Sequence, residues 1–329
     1  MKQKYFILSV FLCFSLFLFS SCTSSVTTDT PATKTETIVL GFSQLGSESA
    51  FRLGNSKSIQ DAAEKAGIQL MFENAEQKQE NQIKAIRSFI AYRVDVIAFA
   101  PIVEDGWRNV LQEAKDAGIP VLTTDRKINS QDEPLIAGFV GSDFYQQGKK
   151  AGEYLVQKAN HMDVQLLNIV EITGTIDSTP MRQRYQGFQD ITKHDQRFKI
   201  IDSTSGDFLR SKGKECMASF LQTYDHIDVL YSHNDAMTLG AIEAIEEKGL
   251  LPGKDIIIIT VDGEQAAIDL LKEGKINCVI ECTPMIGDIV MDLSKRLAAG
   301  ETIDRHTYPP EVVFTEFDEN LQSIAQRGY

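Results

Sequence analysis

Three things are missing from this sequence: an excess of basic charge, cysteines or histidines at metal-ligand spacing, and a glycine-rich phosphate fingerprint. The chain carries 33 Lys and Arg against 46 Asp and Glu, a formal charge of −13 over 329 residues. The acidic excess is spread along the chain, which excludes the basic footprint of a nucleic-acid binder. Five cysteines and five histidines are present, and no His pairs with a Cys as metal ligands do. Cys278 and Cys282 stand in a strand that runs into a loop, ~13 Å apart if extended, too far for a disulfide. After the apolar run Thr37–Leu40 comes "GFSQLGSESAFRLG" (41–54), whose glycines at 41, 46 and 54 miss the G-x-G-x-x-G spacing, with Glu48 where phosphate would approach. The same stretch fails as a G-x-S-x-G nucleophile elbow, because Glu48 holds the central place of "GSESA" and His233 is the one histidine near a strand end. Phosphate cradling and hydrolysis are thereby excluded, and no cofactor or metal is expected.

One long apolar run is present, at the start. "MKQKYFILSVFLCFSLFLFSSC" places Lys2 and Lys4 before an apolar stretch from Tyr5 to Phe19, then Ser20, Ser21 and Cys22. That layout predicts a signal peptide over 1–21. The run is short for a ~30 Å membrane core and no positively charged stop-transfer flank follows it. "FSSC" resembles a bacterial lipobox, with Phe19 where Leu is commoner, so Cys22 is the expected lipidation site. The polar stretch 22–36, rich in Thr and Ser, predicts a flexible tether. The expected location is the periplasm or the cell surface, lipid-anchored to the membrane.

From Thr37 onward, Ile- and Val-rich runs alternate with stretches of helical period. Strands are expected at 37–43, 69–73, 94–100, 120–124, 135–140, 164–171, 198–203, 227–232, 256–261 and 276–281. Among the helices, 79–92 puts Ile83, Ile86, Phe89 and Ile90 on one face, and 107–117 does the same with Trp107, Val110, Leu111 and Ala114. Gly67 and Gly118 close helices. Alternation of this kind means α/β units with parallel sheets covered on both faces. The pattern runs twice, the second round beginning at Val164, so two lobes are expected rather than one very wide sheet. Ligands of such sheets collect beyond the carboxyl ends of the strands.

Those ends carry polar groups. The first offers Ser47, Glu48, Ser49, Phe51 and Arg52, hydrogen-bonding groups in both directions beside an aromatic face, a mixture suited to a sugar. The competing reading is helix capping by Ser49 and simple burial of Phe51. Asp125 and Arg126 follow "PVLTT", "VEITGT" leads to Arg182 and Arg184, "VLYSHND" ends in Asn234-Asp235, and "IITVDG" ends in Asp262-Gly263. His233 has no accompanying nucleophile and is read as structural; Trp107 is read as core, and "EQKQENQIK" as mostly a solvated helix face, part of which can meet a transporter.

The runs "GFSQLGSESAFR", "EQKQENQIKAIRSFIA", "GWRNVLQEAKDAGIPV", "SGDFLRSKGKE", "HND" and "DG" resemble the periplasmic sugar-binding proteins of ABC importers, of the ribose/galactose type, and within them the galactofuranose binders. The resemblance covers Thr37 to about Tyr329. It implies the type I fold of two Rossmann-like lobes, 37–142 plus 283–310 and 143–282 plus 311–329, joined by three crossings near Ser142-Asp143, Cys282-Thr283 and Pro310-Val312. It implies ligand contacts from Glu48, Ser49, Phe51, Arg52, Asp125 and Arg126 on one wall and Arg184, Asn234 and Asp262 on the other. Phe51 replaces a Trp of the galactofuranose binders, and Cys282 stands near a Gln of the ribose binders. The implied function is a monomeric, non-enzymatic receptor that closes by hinge motion on a pentose or hexose and hands it to an ABC permease; the alternative is a sugar sensor reporting to a chemoreceptor or sensor kinase. Repressors that share these lobes carry an N-terminal helix-turn-helix, and here an export signal stands in its place.

Overall fold

Runs such as "VIAF" at 96–99 and "IIITVD" at 257–262 are buried along their whole length, the mark of central parallel strands covered on both faces. The computed structural model describes residues 37–162 and 164–329; the expected signal peptide, tether and lipidation site Cys22 lie outside them. In the first lobe, β1 (Val39–Gln44), β2 (Gln69–Asn74), β3 (Val96–Phe99), β4 (Val121–Thr124) and β5 (Gly138–Val140) alternate with α1 (Ala50–Ala66), α2 (Gln79–Tyr92) and α3 (Arg108–Asp116). The strands form a sheet in the order β2-β1-β3-β4-β5, all parallel. Alternation along each strand divides the core. Val96 and Ala98 face the cluster under α1, whereas Ile97 and Phe99 face the cluster under α2 and α3, where Trp107 is fully buried against Phe99.

The second lobe repeats the plan. After α4 (Phe144–Met162) come β6 (Leu167–Thr173), α5 (Thr179–Thr192), β7 (Phe198–Ser205), α6 (Arg210–Thr223), β8 (Val229–Ser232), α7 (Asp235–Glu247), β9 (Ile257–Asp262), α8 (Gln265–Lys272) and β10 (Cys278–Glu281). The order β7-β6-β8-β9-β10 mirrors the first sheet, and both reverse direction at a point where doubly wound sheets bind ligands. The chain then returns as α9 (Gly287–Ala298), which packs on α1, and β11 (His306–Thr307), which pairs with β5. It finally crosses to β12 (Val313–Thr315), antiparallel to β10. Sheet membership thus changes between Val140 and Phe144, between Glu281 and Gly287, and between Thr307 and Val313.

The ten expected strands and both named helices are present, with shifts at their ends. Residues 133–135 form a 3-10 turn, so β5 starts at Gly138 rather than 135. β11 and β12 were not expected. The stretch 76–84, expected to be mostly a solvated helix face, is so except at Gln82, which is fully buried. Its amide donates to the Ala100 carbonyl at 2.7 Å and accepts from the Ile102 N–H at 3.1 Å, fixing the loop beyond β3.

Candidate functional site

Helix α1 begins where β1 runs out, and Ser49 caps it by accepting from the Arg52 N–H at 3.2 Å. The cap aims the first turn, and with it Phe51 and Arg52, across the carboxyl end of the sheet. Capping and site placement are therefore the same act, and Asn234 repeats it at α7, where its side chain accepts from the Met237 N–H at 3.0 Å. Asp125 sits in a tight turn: its φ is +60° and the Arg126 N–H reaches back to the Thr124 carbonyl at 2.6 Å, a γ-turn of the rare left-handed kind. Asp262 is further from ordinary backbone, with φ at +133°. Two carboxylates at matching strand ends both occupy costly conformations, a pattern concentrated at functional sites.

Glu48, Ser49, Phe51, Arg52, Asp125, Arg126, Arg184, Asn234 and Asp262, all nine residues expected from the sequence, line one cavity between the lobes. Its free volume is about 30 Å³, well below the ~300–1,000 Å³ typical of small-ligand pockets, so the walls must part to admit a ligand. Phe144, Pro180, Phe208 and Cys282 complete the wall. Arg184 stands in the second turn of α5, whereas Phe51 and Arg52 are in the first turn of α1 directly after β1. Gly148 lets α4 approach there, since a Cβ on it would lie 2.2 Å from the Arg184 carbonyl oxygen. Phe208 is held in the same manner, its ring lying where any side chain at Gly174 would fall.

Three guanidinium groups face three carboxyl groups in this space, and each guanidinium lies over an aromatic ring. Arg52 donates to Asp125 Oδ2 at 2.7 Å and to Gln44 Oε1 at 3.2 Å, with Glu48 at 3.5 Å and the Phe51 ring at 5.2 Å. Burial works against the Arg52 charge, yet Asp125 and Glu48 outweigh it and raise its pKa. Arg184 donates to Gln147 Oε1 at 2.9 Å and to the His233 carbonyl, stands 3.8 Å from Asp262 Oδ1, and covers the Phe144 ring. Arg126 is less well matched. Its Nη1 donates to the Ile102 carbonyl at 2.9 Å, but Asp125 is 3.9 Å away, and burial together with Arg52 lowers its pKa to about 10. On the opposite wall, burial pushes the Asp262 carboxyl well up, Arg184 pulling against it and Asp235 reinforcing it.

Glu48 Oε2, Arg52 Nε and Arg126 Nε are buried without a hydrogen-bond partner. Unmet donors and acceptors of this kind cost free energy unless a polar partner meets them. The cavity can therefore take a small molecule that both donates and accepts, with apolar faces for the rings of Phe51, Phe144 and Phe208. Around it the lobes touch directly. Arg182 forks onto Glu104, with Nη2 at 2.5 Å; Thr179 Oγ1 donates to the Lys127 carbonyl at 2.9 Å; the Phe51 N–H donates to Glu264 Oε1 at 3.2 Å.

His233 stays out of the cavity. It is fully buried, bonded through Nε2 to Glu171 at 3.0 Å, and its carbonyl orients Arg184. Cys216, Cys278 and Cys282 are free thiols, and among the described residues no cluster of metal-ligating side chains occurs. Sequence reasoning missed Phe144 and Phe208, because a buried aromatic on a helix or loop reads as core, and Pro180, which reads as an ordinary first-turn proline of α5; for Phe208 the available signal was Gly174, whose missing side chain makes room for the ring.

Residues 40–302 match the model of the periplasmic binding protein domain family. The chain is 42% identical over 298 residues to the galactofuranose-binding protein of Escherichia coli, covering 89% of this chain and 93% of that one. It superposes with a TM-score of 0.84 on a Mycobacterium smegmatis protein in complex with β-D-fucofuranose, at 43% identity over 87% of this chain and 93% of the other. The binding component of the arabinose ABC transporter from Shewanella sp. ANA-3, bound to α- and β-L-arabinofuranose, gives 0.82 at 40% identity, covering 87% and 93%. With two lobes of matching sheet order and a polar cleft between them, this chain belongs to the periplasmic binding protein family, in its sugar-binding ribose/galactose type, and is a binding protein rather than an enzyme.

Proposed function

We propose that the chain binds one monosaccharide, in its five-membered ring form, within the inter-lobe cavity, closes on it, and delivers it to an ABC permease. The observation that carries this reading is the convergence, from both lobes, of Arg52, Asp125, Arg126, Arg184, Asn234 and Asp262 on one cavity that is also lined by three aromatic rings. Hydroxyl groups donate and accept, so they can meet carboxylates and guanidiniums alike, while the C–H faces of the ring pack on Phe51, Phe144 and Phe208. The guanidiniums are balanced by carboxyl groups, which disfavours a phosphorylated sugar or a sugar acid. The furanose form is supported by what two solved relatives of 40% and 43% identity hold, arabinofuranose and fucofuranose.

A ligand that touches both walls favours the closed state by its differential contacts, the thermodynamic basis of hinge closure. The lobes in this reading are 37–142 plus 283–310 and 143–282 plus 311–329, moving about the three crossings. Cys22 anchors the mature protein through its lipid, with 22–36 as tether, outside the cytoplasm. Calorimetry with D-galactose, D-fucose, L-arabinose and D-ribose, each of which interconverts between ring forms in water, tests the reading. It predicts saturable binding of one molecule per chain for at least one of them and none for galactose 1-phosphate or galacturonate. Silence from all four neutral sugars would contradict it.

A further inference from the structure

Glu311 lies on the third passage between the sheets, yet its carboxylate reaches the other two. Ser142 Oγ, on the first passage, donates to Glu311 Oε1; so does the Thr283 N–H, on the second, at 3.0 Å. Its other oxygen, Oε2, accepts from Gln147 Nε2 at 3.0 Å, a nitrogen that also donates to the Glu281 carbonyl at 3.2 Å, and the Oε1 of that same Gln147 accepts from Arg184 Nε at 2.9 Å. Gln147 is 1% exposed and Arg184 is 3% exposed, so neither finds water as a substitute partner. Burial raises the Glu311 carboxyl while Ser142, Thr283 and Gln147 pull it the other way by donating to it.

We infer that Glu311 is a positioning residue that clasps the three passages together and, through the oriented amide of Gln147, holds the Arg184 guanidinium at the cavity wall, so that the geometry of the hinge and of that wall are set by one carboxylate. The amide NH2 faces two acceptors, the Glu311 carboxylate and the Glu281 carbonyl, and its oxygen faces the Arg184 N–H, so it has one orientation. Glu311→Gln preserves an oxygen for Ser142 and Thr283 but puts an NH2 against the NH2 of Gln147. Gln147 cannot turn over without opposing the Glu281 carbonyl and the Arg184 N–H, so it is pushed aside and its oxygen draws away from Arg184, which loosens the guanidinium. The exchange Glu311→Gln with Gln147→Glu restores the link to Arg184 at the expense of the Glu281 contact, because the new carboxylate accepts from both sides and the total charge is conserved.

The role at the cavity rests on the sugar-binding reading above, so the test has one arm free of sugar. In 15N-edited NMR of the sugar-free protein, E311Q is expected to raise the exchange rate of the Arg184 Nε–H at least about tenfold, and the E311Q/Q147E pair to bring it back to within about threefold of the native rate. Calorimetry with D-galactose and L-arabinose is expected to follow the same order, weakened by about tenfold in E311Q and largely recovered in the pair. A folded E311Q with unchanged Arg184 exchange overturns the inference, as does a pair that exchanges as fast as E311Q. Should E311Q not fold, E311D replaces it, keeping the charge and shortening the reach; failure of both to fold also overturns the inference, because the carboxylate would then be a folding element. If neither sugar binds the native protein, the proposed function fails while the NMR arm still decides the clasp.

Discussion

Replacing Asp262 with glycine should make the protein more stable and a worse binder. The φ of +133° at Asp262 lies where a side chain is strained by about 1–3 kcal/mol, and glycine removes that strain at a cost of about 0.5–1 kcal/mol in chain entropy. The change also removes a carboxyl that burial holds far above its usual pKa, with Asp235 and Glu264 pushing the same way. Arg184 keeps Gln147 and the His233 carbonyl as acceptors. The expected net gain is about 0.5–2 kcal/mol, or roughly 1–4 °C in Tm for a chain of this size. Binding should move oppositely: leaving a buried sugar hydroxyl without its partner costs about 1–3 kcal/mol, which is about five- to a hundredfold in Kd. Thermal unfolding of sugar-free protein and calorimetry on the same preparation read both signs. A lower Tm together with unchanged affinity would refute the idea that strain at this strand end is maintained for the site.

Three further outcomes follow from other parts of the structure. Burial depresses the His233 imidazole although Glu171 pulls it up, so the folded ring stays neutral where the unfolded one, near its ordinary ~6.5, takes a proton. Its stability contribution is complete above about pH 6.5 and is lost as pH falls toward the depressed value, by up to ~1.4 kcal/mol per pH unit; urea unfolding should show the native protein's advantage over H233Q narrowing from pH 7.5 to 5.5. The Arg182–Glu104 fork closes the rim without touching the cavity, and R182Q should speed sugar release in stopped flow by about 1.5- to 5-fold, the worth of a partly exposed pair, with association unchanged. Gly148→Ala would put a methyl 2.2 Å from the Arg184 carbonyl, so α5 must retreat; denaturant melts should show a loss of about 1–3 kcal/mol, and calorimetry a weaker sugar response.

The sheets were legible because their central strands are apolar on both faces: "VIAF" and "IIITVD" leave no other reading. β11 and β12, two and three residues long, carry no periodicity of their own and exist because β5 and β10 offer them edges. At the site, Asp125, Asn234 and Asp262 stood out as polar groups directly after buried strands, where a charge needs a purpose. Gln82, Gln147 and Glu311 did not, since an isolated polar residue on a helix or loop looks the same whether it meets water or a buried partner. Only the fold brings Glu311 beside Ser142, 169 positions away.

The most direct measurement is a crystal structure of the protein with whichever neutral sugar calorimetry selects. The account predicts a single five-membered ring against Phe51, Phe144 or Phe208, its hydroxyls hydrogen-bonded to Arg52 or Asp125 from one lobe and to Arg184, Asn234 or Asp262 from the other. A sugar held by one lobe alone, or seated outside this cleft, would contradict it.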